Sequence, residues 1–177
     1  MKGFGLVARG LLVGIALSIA TGAMSAETID RVLAVVAGQL ITLSDVNAVR
    51  DLGIITASSN SQDPTKDVLA KVIDRELMLA EVERYAPPEP DTADIDREVA
   101  KVRARFPTAK GFDDVLARSG FDLNHVREIV RQNLRLQAYL DQRFAVANTD
   151  QQRRQTMIDD WLVSLRRRTP ALNLYQK

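Results

Sequence analysis

The apolar positions of this chain follow two rhythms, a short β-type one at the ends and a helical one between them. Val32 to Val36 is a β-branched apolar run, Ala37-Gly38 reads as a turn, and Leu40 to Thr42 is a second short run, which predicts a small hairpin. Thr42 with Asp45 three residues on forms a capping box and opens a helix to about Leu52, which Gly53 ends. Residues 56–62 (TASSNSQ) are small and polar and read as a flexible surface loop. Asp63-Pro64 is a cap followed by proline in the first turn, starting a helix to about Tyr85. Its apolar residues (Val68, Leu69, Val72, Ile73, Leu77, Leu79, Ala80 and Val82) lie on more than one face, so it is predicted to be the central helix.

Pro87, Pro88 and Pro90 stop that helix and stiffen the link to the next. Asp91 or Thr92 caps a helix in which Ile95, Val99, Val102 and Phe106 make a single stripe, closed by Pro107. A short helix is predicted from about Phe112 to Ser119. A long one follows from Asp122 to about Phe144, with Val126, Ile129, Val130, Leu134, Leu136 and Leu140 as its apolar side. Thr149 and Gln152 read as a capping box for a last helix packed through Ile158, Trp161, Leu162 and Leu165, and Thr169-Pro170 breaks it. Ala171 to Tyr175 (ALNLY) alternates like a terminal strand, with Leu172 and Leu174 on one side. A lone hairpin is marginal in water, and this is the only good candidate for its third strand. The expected fold class is therefore mainly α, with a small antiparallel sheet joining the two chain ends.

The first 26 residues stand apart. Lys2 and Arg9 precede an apolar run, Gly10 to Ala20, and the small residues Thr21, Gly22, Ala23, Ser25 and Ala26 follow. That order is a cleavable secretory signal peptide, cut after Ala26 by preference or after Ala23. The run falls short of the roughly 18–20 residues that cross a bilayer, so no stable membrane insertion is expected. Residues 27–177 then make one domain, with 27–144 as its main body and 145–177 as a C-terminal helix and strand that complete it. Taking away Lys2 and Arg9 turns the formal charge of +1 into −1. A near-neutral exported chain is a poor partner for nucleic acid, which needs a basic surface.

Composition narrows the chemistry. The chain has no cysteine and a single histidine, His125, which excludes disulfides, thiol nucleophiles and zinc fingers. No nucleophile elbow, phosphate loop or metal-ligand cluster is legible, and no cofactor is expected. Asp113-Asp114 and Asp159-Asp160 read as first-turn helix carboxylates, His125 as a capping-turn side chain, and Arg166-Arg167-Arg168 as a solvated last turn. Trp161 reads as core by its spacing. Met78, Phe106, Phe112, Phe121 and Tyr139 are the best candidates for an adaptable apolar surface, because soft or flat side chains accept many sequences. Each also fits ordinary core packing.

The order of these segments resembles the SurA-type periplasmic chaperones, which are associated with parvulin-class prolyl isomerases. Three stretches carry the likeness. Arg31 to Val46 (RVLAVVAGQLITLSDV) is similar to that family's opening hairpin and first helix. Val72 to Ala86 (VIDRELMLAEVERYA) is similar to its central helix, with DIDREVAKVRARF and the block from Gly111 to Leu140 following. DDWLVSLRRRTPALNLYQK is similar to its returning C-terminal helix and strand.

The likeness implies an exported, ATP-independent holdase that binds unfolded secreted or outer-membrane proteins. Two departures stand out. The family's hairpin usually turns on Asn-Gly, whereas Ala37-Gly38 stands here, so a different turn type is expected, since alanine resists positive φ. The family's isomerase domains lie between the long helix and the last one, where this chain has only about a dozen residues, far below a domain. Parvulin-type sites use a pair of histidines and this sequence has one, so no isomerase activity is expected. The alternative is an adaptor or subunit that docks on one envelope partner, such as a parvulin isomerase. A homodimer formed through the apolar groove, or by exchange of the terminal strand, also fits.

Overall fold

The computed structural model describes residues 30–147 and 149–176. The predicted signal peptide lies outside the described residues. Strands β1 (Val32–Val36) and β2 (Gln39–Thr42) form the hairpin, and β3 (Leu172–Asn173) returns from the chain end to pair with β1. All pairs are antiparallel and the sheet order is β2-β1-β3. Between the strands run six α-helices: α1 (Leu43–Asp51), α2 (Pro64–Tyr85), α3 (Thr92–Arg103), α4 (Ala109–Ser119), α5 (Leu123–Arg143) and α6 (Gln151–Arg168). The mainly α class with a small sheet built from both ends is what the pattern predicts.

Most caps follow the predicted chemistry. Thr42 and Asp45 close a reciprocal capping box on α1, and Asp63 accepts from the Lys66 N–H ahead of Pro64. The α2 helix stops at Tyr85, where Ala86 turns left-handed (φ +40°) before the prolines. Three boundaries move. The α3 helix ends at Arg103, so Phe106 leaves the stripe and sits in a turn whose N–H bonds the Arg103 carbonyl. Pro107 disfavours helical geometry in the residue before it, which explains the early stop. The α4 helix starts at Ala109, because Thr108 caps it through the Gly111 N–H at 3.1 Å.

On α6 the cap is Asp150, accepting from Arg153 N–H at 2.9 Å, and not Thr149; a carboxylate there also complements the helix dipole. The acidic pairs shift with the boundaries. Asp113 and Asp114 fall beyond the first turn of α4 and Asp159 and Asp160 fall in mid-α6; Asp114 holds Lys110, and Asp159 accepts from Gln155.

The hairpin turn corrects the expectation directly. Ala37 has φ +49° and Gly38 φ +86°, the two positive values of a type I′ turn, so alanine occupies the left-handed site that asparagine usually fills. A left-handed alanine costs roughly 1–2 kcal/mol of local strain. Ala37→Asn is therefore expected to stabilise the protein by about 0.5–1 kcal/mol, read as a higher urea midpoint with an unchanged slope.

Two adjoining cores form. The first gathers Leu33, Ala34, Val36 and Ile41 of the hairpin with Val68, Leu69, Val72, Leu77 and Val82 of α2, the C-terminal half of α5, and Trp161 and Leu165 of α6. Burial on several sides makes α2 the central helix, as its pattern predicts. The second core joins Leu52 to α3, α4 and the N-terminal half of α5 around Phe112. The α5 helix serves both, burying Val126 and Val130 in one and Leu136, Tyr139 and Leu140 in the other. Arg166 clamps α6 to α2 through two bonds to the Asp74 carboxylate, at 2.9 and 2.6 Å. The loop between α1 and α2 is tethered too: Lys71 Nζ donates to the Thr56 carbonyl at 2.8 Å and Ser58 N–H to Asp67.

In the terminal strand the two faces are the reverse of an apolar-in reading. Leu172 and Leu174 share a face, but that face is the outer one; Ala171 and Tyr175 pack on the core instead. Tyr175 reaches across to the Asp63 carboxylate at 3.2 Å.

Candidate functional site

A groove opens between β2 and α5, floored by α2. One part, about 420 Å³, is lined by Leu40 and Ile41 of β2, Val49 of α1, Val72 of α2, and Phe121, His125 and Ile129 beside or on α5. A second stretch of about 460 Å³ shares Gln39, Glu76, Glu128 and Gln132 with the first and continues past Ala37, Leu79, Ala80 and Glu83. The two make one open trough with an apolar part and a polar part. Leu40 stands at its border, 62% exposed although it is a leucine in a strand.

The floor carries a half-buried ion pair. Arg75 Nη1 donates to Glu76 Oε1 at 2.6 Å, while its other nitrogens bond Asn133 Oδ1 at 2.9 Å and Gln132 Oε1 at 2.8 Å. Arg75 thus ties α2 to α5 and sets the trough's width. Burial pushes the Glu76 carboxyl above the usual carboxylate range, and the nearby Asp45 adds to the rise against the pull of Arg75. Burial likewise lowers Arg75 despite its partner. On the far wall the Phe121 ring stacks on His125, with centroids 5.0 Å apart. His125 itself caps α5. Its N–H donates to Asp122 Oδ1 at 2.9 Å, and the Asp122 N–H donates to imidazole Nδ1 at 3.1 Å. That backbone bond holds the Asp122 carboxyl below its ordinary range.

The five side chains singled out from the sequence do not meet. Phe121 alone lines the trough. Phe112 is fully buried at the centre of the second core, 5.6 Å from the Phe106 ring, which is half-buried beside it. Met78 is half-buried against the first core. Tyr139 is buried between Tyr85 (5.4 Å) and Trp161 (5.8 Å), and its edge meets a separate hollow shared with Tyr85, Pro87, Gln142 and Arg143. Trp161 is core, as its spacing implies, with the Arg143 guanidinium 5.1 Å above its ring.

No protein-family model and no curated protein matches this sequence. The chemistry of the site therefore rests on its residues. The trough's own residues, Gln39, Leu40, Arg75, Glu76, Glu128 and Gln132, escaped the sequence reading. One signal was available: Leu40 and Ile41 are adjacent apolar residues in a strand, and alternation lets only one of them face the core. Among the described residues no set of histidine and carboxylate side chains could hold a metal ion, and no helix is long and apolar enough to cross a membrane. What the arrangement offers is a shallow surface of aliphatic and aromatic groups edged by amides and paired charges. Such a surface suits contact with many sequences more than fixed chemistry on one.

Proposed function

We propose that this chain is an exported, ATP-independent holdase that binds unfolded secreted or outer-membrane proteins and has no prolyl isomerase activity. The observation that carries the reading is the open trough beside β2, with Leu40, Phe121 and Ile129 accessible to a segment laid along it and Ile41 behind them in the core. Unfolded outer-membrane strands alternate apolar and polar residues, so one face of such a segment meets the aliphatic wall and the other meets water. The order of the segments, similar to the SurA-type chaperones, supports the same class. Parvulin-type sites use a pair of histidines, and the one histidine of this sequence, His125, is engaged in the cap of α5.

The test uses residues 27–177 and a urea-unfolded outer-membrane protein diluted into buffer, followed by light scattering, with an unrelated soluble client as control. Suppression near stoichiometric ratio, stronger for the membrane client, is expected; scattering unchanged for both would refute the reading. A second reading has its own observation. Leu40 and Leu172 flank Val35 across the sheet, and with Leu174 they expose an apolar patch on its outer face, as an adaptor docking on one folded partner would. Recovery of one stoichiometric complex from envelope extract, without suppression of aggregation, would favour that adaptor.

A further inference from the structure

The way an unfolded chain would be held follows from the edge of β2. Among the described residues β2 lies at one side of the sheet, with β1 as its only strand neighbour. The hairpin closes with two residues, so Val36 and Gln39 form its first hydrogen-bonded pair and the next pair, Val35 with Leu40, is a non-bonded one. The N–H and C=O of Leu40 therefore point away from β1, on the open edge that borders the trough. Among the described residues neither group bonds to another element's backbone.

A donor and an acceptor on one strand residue, with an apolar trough alongside, match one kind of occupant: another extended backbone. The α5 wall from Phe121 to Gln132 stands across the trough, so a strand paired with β2 would lie in the slot between the two. A paired strand lies about 4.8 Å from its neighbour, and four residues span about 13 Å. Asp45, Glu76, Glu83 and Glu128 line the slot against Arg75 and Arg131, so neutral or basic segments fit better than acidic ones.

We propose that the trough takes its occupant by strand addition: an extended, non-acidic segment of an unfolded polypeptide pairs with β2 through the Leu40 N–H and C=O. This rests on the holdase reading and names its binding mode. Alternate side chains of the added strand then face Ile41, Val72, Ile129 and Phe121, and the others face solvent.

The test titrates the protein against a fluorescent ten-residue peptide alternating Phe, Tyr or Val with Gln, Thr and Lys, read by anisotropy. The peptide is then N-methylated at one residue at a time, which deletes a backbone donor and keeps the side chain. Strand addition predicts a period of two, with affinity falling about fivefold to tenfold at edge-facing nitrogens and little at those between. Leu40→Pro removes only an outward donor and is expected to weaken binding about fivefold or more, whereas Leu40→Ala keeps the period.

A scan without that period, on a protein that binds the peptide and suppresses aggregation, overturns strand addition and leaves the holdase standing. Absence of both binding and suppression removes the holdase reading and this inference with it. A dimer that Leu40→Pro dissociates would make a second copy the occupant and overturn the proposal.

Discussion

Phe112→Ala is expected to lower the stability of the protein by about 3–5 kcal/mol, the largest effect of any single substitution considered for this chain. The ring is wholly buried among Leu52, Val99, Val102, Val115 and Leu116, edge-on to Phe106, with the Arg103 guanidinium 5.0 Å above its face. Removing it takes away the transfer energy of an aromatic side chain and leaves a cavity that three helices border and that cannot close without moving all three. Urea unfolding measures the loss directly, with the midpoint falling and the slope retained. For a chain of this size the melting temperature drops by roughly 10 °C. Phe112→Leu keeps most of the volume and is expected to cost about 1–2 kcal/mol. A Phe112→Ala protein as stable as the parent would mean that the second core is not built as described, and would return this ring to the list of client contacts.

Arg75→Ala is expected to destabilise the protein by about 3 kcal/mol at neutral pH, because it strands the Glu76 carboxylate between α2 and α5. The side chains of Arg75 and Glu76 are 12% and 19% exposed, so water cannot replace the lost partner well. The effect depends on pH with a definite sign. Burial already raises the Glu76 carboxyl in the folded protein above its unfolded value, and loss of Arg75 raises it further. Above the folded pKa the full cost of a buried charge applies. As pH falls through that value the folded state takes up a proton before the unfolded state does, and the cost shrinks.

The difference in stability between parent and variant is therefore largest at pH 7 and smaller near pH 4–5, measured by urea titrations at each pH. Replacing both residues, as Arg75→Met with Glu76→Met, is expected to recover most of the loss, since the apolar pair has no charge to strand. An Arg75→Ala penalty independent of pH would show that packing of the arginine stem, and not the carboxylate, accounts for it.

Both predictions bear on what local sequence signals can carry. The caps at Thr42, Asp63 and Asp122 act over three residues and are legible because the bonding partners are neighbours in the chain. The two-sided apolar pattern of α2 is legible for a similar reason: helical periodicity maps directly onto faces. The third strand was also within reach, because an isolated hairpin needs a partner and only ALNLY alternates suitably. Errors arose where two local signals competed. Thr149 and Asp150 both qualify as caps, and Phe106 continues a stripe that Pro107 forbids the helix to follow. Ala37 takes a left-handed turn against its own preference because the paired strands on either side demand one.

The candidate site is another matter. Phe112 and Phe121 are both aromatic residues near the ends of α4, yet one closes a core and the other faces the trough. Which is which depends on where α3 and α5 lie across them, and neighbouring residues do not encode that. The trough is assembled from segments around residues 39–55, 72–83 and 121–132, whose separation in the chain no cap or period spans. Its ion pair is likewise a consequence of packing, since Arg75 and Glu76 read as ordinary helix charges until α5 covers them. The sequence by itself determined the helices, their caps, the central place of α2 and the joining of the two chain ends, because these rest on interactions between near neighbours and on face periodicity. Only the tertiary structure decided which edge of the sheet stays open, which aromatic residues are covered and what stands across from Leu40, because burial and edge exposure are properties of elements packed together.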